Sequence, residues 1–329
     1  MKLSDFDYSL PKEFIAQKPM SPRDNSRLMI INDKIEHRKF YNIIDYLKKD
    51  DVLVVNETKV IPAKLVGKKQ TGAKVELIVE QSKGNECKCR IKATKPRIGN
   101  KLIFGKFSGE IIGTENDEFI VKFNENINKI IKKIGELPTP PYVKRKIDRD
   151  SQYQTVYSKK KGSIAAPTAG LHFTKRLLNK IKKKGIKIAK VCLHVDFGTF
   201  LPLRDINQNI LHKEYFEVDA KNAKIINNAK RLFVVGTTSI RALESVSDKN
   251  GKIHAGKGST ELFIKPGYKF KTKIDAMITN FHLPKSTLLM LVSAFIGRKK
   301  ILNAYKIAVK NNYRFFSFGD AMLILKKFK

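Results

Sequence analysis

The C-terminal half of the chain repeats one local pattern: an apolar run short enough for a strand stops in a turn of small residues carrying His, Thr, Ser or a charge. Five such breaks occur, at residues 167–174, 194–200, 236–244, 279–284 and 317–320. Parallel strands buried on both faces read as unbroken apolar runs, and open α/β sheets gather their ligands beyond the carboxyl ends of such strands. Five polar turns after strand-like runs therefore point to an α/β sheet with one site at its end.

Helix signals fall between the turns. Thr174 is placed to cap a helix with Leu177, Leu178 and Ile181 on one face, Gly185 closes it, and residues 186–195 form a strand ending at His194. A helix over 220–229 leads into Leu232-Phe-Val-Val235, which breaks at Gly236; further helices carry Arg241 with Glu244 and span 286–296 before Gly297. Strand, turn and helix in alternation predict an α/β fold with a mostly parallel sheet flanked by helices. The apolar run at 52–55 joins it after a helix expected over 41–48. From 61 to 123 the texture changes to short β-rich runs separated by Gly and Asn turns, which predicts a smaller inserted all-β domain, barrel-like. Residues 137–142 are Pro-rich and read as a linker. The expected organisation is a discontinuous α/β domain over 1–60 and 150–329, with the β domain and its linker over 61–149.

Lys and Arg number 66 against 31 Asp and Glu, a formal net charge of +35. Such an excess favours a polyanionic partner, nucleic acid before a membrane surface. Lys far outnumbers Arg and Trp is absent, so compositional drift accounts for part of it. The opening residues hold no signal-like apolar stretch, and the longest apolar run, 288–296, is too short for a bilayer, so the expectation is a cytoplasmic protein without membrane contact. Three cysteines make no disulfide framework, and no His or Cys spacing suits a metal.

Gly236-Thr-Thr-Ser239 lies between a strand and a helix, where free N–H groups meet a phosphate, carboxylate or hydroxyl-rich ligand. It lacks the spacing of a P-loop or a dinucleotide fold, and its plain alternative is an ordinary helix cap. Arg241 either pairs with Glu244 or meets an anion. His194 is followed by Gly198-Thr199, while His172 and His282 sit beside Phe173 and Phe281. Neutral imidazole suits a general base or acid, although each histidine alone reads equally as structural. Asp320 is either a strand-end carboxylate in the same crevice or a turn residue. The candidate catalytic residues are thus His172, His194, His282 and Asp320. The candidate substrate contacts are Gly198, Thr199, Gly236, Thr237, Thr238, Ser239, Arg241 and Glu244.

Ordered blocks along nearly the whole chain carry a resemblance. They include Phe6-Asp-Tyr-Ser-Leu-Pro11, Val55-Asn-Glu-Thr-Lys-Val-Ile-Pro62, Tyr153-Gln-Thr-Val-Tyr157, Ala166-Pro-Thr-Ala-Gly-Leu-His-Phe-Thr174, Thr279-Asn-Phe-His-Leu-Pro-Lys-Ser-Thr287 and Tyr313-Arg-Phe-Phe-Ser-Phe-Gly-Asp320. Together with the Gly236 turn they resemble the S-adenosylmethionine:tRNA ribosyltransferase-isomerase family of queuosine biosynthesis. The chain departs from the family pattern at Asp196, Thr139 and Leu211, where Gly, Leu and Met are more usual. The resemblance implies transfer of the ribosyl part of S-adenosylmethionine onto 7-aminomethyl-7-deazaguanine at the tRNA wobble position, giving epoxyqueuosine and releasing adenine and methionine. It implies S-adenosylmethionine as co-substrate with no other cofactor, and tRNA as partner; a monomer is the expected state.

In that chemistry the sulfonium acidifies the neighbouring 5′ carbon, a base removes a proton there, an acid eases adenine out, and methionine departs as a neutral thioether. His194 or His282 is then the base, and Asp320 or His172 the acid. Glu244, Asp196, Asp320 and Phe173, Phe197, Phe200, Phe281 and Phe318 are candidates to face the sulfonium, and Gly236 to Ser239 with Arg241 to hold the methionine carboxylate. The alternatives are a non-catalytic basic RNA-binding protein, or an α/β enzyme acting on a small phosphorylated metabolite.

Overall fold

The computed structural model describes residues 1–115, 118–196, 198 and 213–326. The chain folds as two compact units, Met1–Lys59 with Pro140–Lys329, and Val60–Thr139. The chain-order strands are β1 (Arg27–Ile31), β2 (Ile35–Lys39), β3 (Val52–Asn56) and β4 (Thr58–Val60). Then come β5 (Lys64–Lys69), β6 (Lys74–Lys83), β7 (Glu86–Lys92), β8 (Lys101–Phe104), β9 (Phe107–Glu115), β10 (Glu118–Phe123) and helix α1 (Ile127–Ile134). The larger unit resumes with β11 (Lys160–Ser163), α2 (Lys175–Lys183), β12 (Lys187–Leu193), β13 (Glu214–Val218), α3 (Ala220–Asn227) and β14 (Leu232–Val235). It ends with α4 (Thr237–Val246), β15 (Gly256–Thr260), β16 (Ala276–Asn280), α5 (Thr287–Ile296), α6 (Arg298–Lys310) and β17 (Ala321–Leu325).

The larger unit is built on a nine-stranded sheet, ordered β15-β13-β12-β3-β14-β16-β17-β1-β2. Its central strands β3, β14, β16 and β17 are buried at every position because both faces are covered. Val52 and Val54, Leu232 and Val234, and Met277 enter one core; Leu53 and Val55, Phe233 and Val235, and Ala276 and Ile278 enter the other. The sheet is more mixed than the alternating texture implies. Parallel pairing joins β12, β3, β14 and β16, and again β17 with β1, while β13, β15 and β2 are antiparallel additions. Strands β16 and β17 run antiparallel because two helices, α5 and α6, separate them: the second brings the chain back to the end from which β16 left. Among the described residues no helix is long and apolar enough to cross a membrane.

Local signals act as expected in α2, where Thr174 Oγ1 accepts from Leu177 N at 3.1 Å, and in α5, where Ser286 Oγ accepts from Leu289 N at 3.2 Å. The segment expected as a helix over 41–48 is a 3₁₀ turn at Phe40–Tyr46. Its buried residues are Phe40 and Ile43, three apart, which suits three residues per turn better than 3.6.

The smaller unit is a closed antiparallel barrel, ordered β10-β7-β6-β5-β8-β9, around Leu65, Val75, Leu77, Phe104, Ile111 and Val121. Helix α1 adds Ile127 and Ile130 to that core. A Cβ on Gly67 would come within 2.2 Å of the Ile103 carbonyl, so β5 can lie against β8 only without a side chain there.

Register decides where the five turns go. Strands β3, β12, β14 and β16 are parallel, so Asn56, which ends β3, and His194, Gly236 and Phe281, which follow the other three, lie at one end of the sheet. Asn280 pairs with Ala321, which places the turn before β17 at that same end. Helix α2 runs down to the start of β12, leaving residues 167–174 above it.

Candidate functional site

At that end lies a cavity of about 250 Å³, and each of the five segments contributes to its wall: residues 166–169, Val195, residues 236–238, residues 279–284 and Ser317. Apolar surface dominates, as in most small-molecule sites, and no charged side chain lines it among the described residues.

His282 is the one candidate catalytic residue in the wall. Its backbone N–H donates to Tyr305 Oη at 2.8 Å and its carbonyl accepts from Tyr8 Oη at 2.5 Å. Nδ1 lies 3.2 Å from the Asn280 carbonyl, which can only accept, so Nδ1 carries the proton. Nε2 is then the lone-pair nitrogen, 3.0 Å from Thr279 Oγ1. Burial pushes the imidazolium down to about 3, so the ring is neutral at ordinary pH.

The other three candidates lie off the wall. His172 is buried behind it, with Nδ1 2.7 Å from Ser26 Oγ, its ring stacked on Phe40, and its imidazolium held to about 4 by burial despite the nearby charge of Asp320. His194 stacks on Tyr215, with Nδ1 2.7 Å from Thr58 Oγ1, and burial and Lys160 lower its pKa. Asp320 accepts from Arg27 N at 2.9 Å and Arg314 N at 2.8 Å, which ties the entry of β1 to that of β17.

Among the candidate contacts, Gly236, Thr237 and Thr238 line the cavity. Gly236 has φ of +82°, a conformation that glycine adopts without strain, and no side chain caps α4. Ser239 Oγ is turned back onto the Val235 carbonyl at 2.5 Å. Arg241 forms a buried ion pair with Glu214 and donates to the Leu262 carbonyl at 2.9 Å. Glu244 accepts from Tyr268 Oη, Lys271 N and Thr272 N, each at 2.9 Å, so neither its pairing with Arg241 nor a cation contact is what occupies it. Gly198 N donates to Asp196 Oδ1 at 2.7 Å, away from the wall. Thr199, Phe197 and Phe200 lie outside the described residues.

Sequence reasoning assigned no role to four residues that shape the site. Tyr142 and Phe316 line the cavity with ring centroids 4.9 Å apart, and Tyr142 Oη is 2.7 Å from Ser317 Oγ. Tyr8 steadies His282. Asn56 fills its whole hydrogen-bonding capacity: Nδ2 donates to Leu193 O at 2.9 Å and Thr238 Oγ1 at 3.2 Å, and Oδ1 accepts from Thr58 N and Leu193 N, each at 3.1 Å. It thereby ties the end of β12 to the start of α4. The available signal was a polar residue ending an otherwise apolar strand.

A family profile described as queuosine biosynthesis protein matches residues 3–324. The chain belongs to that family. A protein of Fusobacterium nucleatum named S-adenosylmethionine:tRNA ribosyltransferase-isomerase is 51% identical, covering 98% of this chain and 96% of its own length. One of the same name from Carboxydothermus hydrogenoformans is 49% identical over 99% of this chain and 100% of its own. The crystal structure of S-adenosylmethionine tRNA ribosyltransferase from Thermotoga maritima is similar with a TM-score of 0.58 and 38% identity, over 98% of this chain and 100% of that one.

Proposed function

We infer that this member of the queuosine biosynthesis family is an S-adenosylmethionine:tRNA ribosyltransferase-isomerase. It moves the ribosyl group of S-adenosylmethionine onto 7-aminomethyl-7-deazaguanine in tRNA, in the cytoplasm. The observation that carries the reading is the meeting of all five polar turns on one apolar cavity beside a neutral, fully anchored histidine. The alternatives of a non-catalytic RNA-binding protein and of a phosphorylated-metabolite enzyme gain no support from a wall that carries no charged side chain among the described residues.

His282 is the base. Its Nε2 lone pair exchanges the Thr279 hydroxyl for the 5′ carbon that the sulfonium acidifies, takes a proton there, and the resulting imidazolium passes it on towards the departing purine. Among the described residues the wall offers the sulfonium no carboxylate, and aromatic faces serve it. Phe316 and Tyr142 each contribute on the order of 1 kcal/mol by cation–π attraction. The methionine carboxylate rests on the uncapped amides of Thr237 and Thr238, where the dipole of α4 favours an anion, while the Gly236 N–H is held by the Ile278 carbonyl at 2.8 Å.

The test is chromatographic detection of adenine from S-adenosylmethionine and precursor-bearing tRNA. His282→Ala should lower adenine release by roughly 100-fold or more while S-adenosylmethionine still binds. Near-normal turnover would remove His282 from the mechanism, and no adenine from the unaltered chain would remove the reaction.

A further inference from the structure

The segment from residue 166 to 180 borders three concavities in turn. Residues 166–169 wall the cavity already described, Leu171 and His172 border a minor recess with Arg23 and Ser26, and Arg176, Leu177 and Lys180 wall a surface cleft of about 290 Å³. The cleft is also lined by Asp24, Asn25, Tyr41 and Asn42.

Three features of the cleft call for a particular ligand. Tyr41 is 42% exposed, an aromatic ring left open to solvent. Asp24 is only 1% exposed; its Oδ2 accepts from Thr174 Oγ1 at 2.8 Å and pairs with Arg176 at 3.4 Å, yet its Oδ1 has no hydrogen-bond partner among the described residues. Lys180 stands one helical turn beyond Arg176 on the exposed face of α2. A buried acceptor without a donor is costly, and an incoming N–H would relieve it. A bare phosphate would instead meet the Asp24 carboxylate. An open ring for stacking, an acceptor for a base edge and a cation for the backbone are what single-stranded RNA recognition uses.

We propose that this cleft holds one unstacked base of the tRNA strand flanking the nucleoside under modification. Tyr41 stacks on the base, Asp24 Oδ1 accepts an N–H from its edge, and Lys180 neutralises the adjoining phosphate. The proposal rests on the reading that the chain acts on tRNA. Ala169 and Arg176 are seven residues apart, hence at most about 25 Å, a reach that a few extended nucleotides cover.

The test uses the full chain and a fluorescein-labelled RNA anticodon stem-loop, with affinity read by anisotropy over a salt series. Tyr41→Ala should weaken binding about tenfold and Tyr41→Phe should restore it. Lys180→Ala should reduce the slope of log affinity against log salt by about 0.7. S-adenosylmethionine affinity should be unchanged in all three. Wild-type RNA affinity and salt slope in both alanine variants would overturn the proposal, whether or not adenine is released. Adenine release is scored separately, so failure of the cleft and failure of the reaction are told apart.

Discussion

Acid should unfold this protein partly through two histidines that the fold keeps neutral. Burial holds the imidazolium of His172 to about 4 and that of His282 to about 3, against an ordinary value of 6.5. Between those limits the unfolded chain binds more protons than the folded one, so stability rises with pH through the window and is lost as pH falls below about 6.5. Each histidine in that state contributes about 1.4 kcal/mol per pH unit. Over the full window the loss is on the order of 5 kcal/mol for His282 and 3 kcal/mol for His172. Above about pH 7 neither contributes. The assay is urea unfolding of the wild type, His172→Gln and His282→Gln at about pH 7 and about pH 5, where each intact histidine accounts for about 2 kcal/mol of the difference. Each variant should therefore lose about 2 kcal/mol less than wild type on acidification. Variants that keep the wild-type pH dependence would refute the claim that these rings are buried and neutral.

Three further outcomes follow from named contacts. Asn56→Leu removes four hydrogen bonds at the end of β3 and should cost about 4 kcal/mol in urea unfolding; a loss below about 1 kcal/mol would mean that Asn56 does not tie the two loops. Glu244→Gln should lower stability by about 2 kcal/mol while leaving KM for S-adenosylmethionine within about twofold, because its three donors come from the protein; a tenfold rise would place it at the ligand instead. Tyr8→Phe frees the His282 carbonyl and should lower kcat roughly fivefold with KM unchanged, whereas a change confined to KM would count against a positioning role.

Strands and helices were legible where local chemistry and burial agree. Val52 to Val55 and Leu232 to Val235 are apolar at every position because both faces of the sheet are covered, and Thr174 and Ser286 cap their helices as their positions imply. The site was legible as a set of segments. Its allocation among side chains was not, because Arg241 and Glu244 face each other at helical spacing in sequence yet are claimed by Glu214 and by Tyr268, Lys271 and Thr272. His194 and Thr58 meet across 136 residues, and nothing local to either announces it. Tyr142 and Phe316 stand in a Pro-rich and an aromatic stretch whose composition does not say which ring turns inward.

Sequence alone determined the periodicities, the caps, the glycine breaks and the order of the motifs, since these depend on neighbours a few residues away. Only the tertiary structure decided that His282 joins the cavity while His172, His194 and Asp320 do not. That choice depends on strand register and on hydrogen-bond partners far apart in the chain: Asn280 beside Ala321, Tyr8 and Tyr305 on the His282 backbone, Arg27 and Arg314 on Asp320. A buried polar group must take the partner that packing brings to it, and packing is a property of the whole fold.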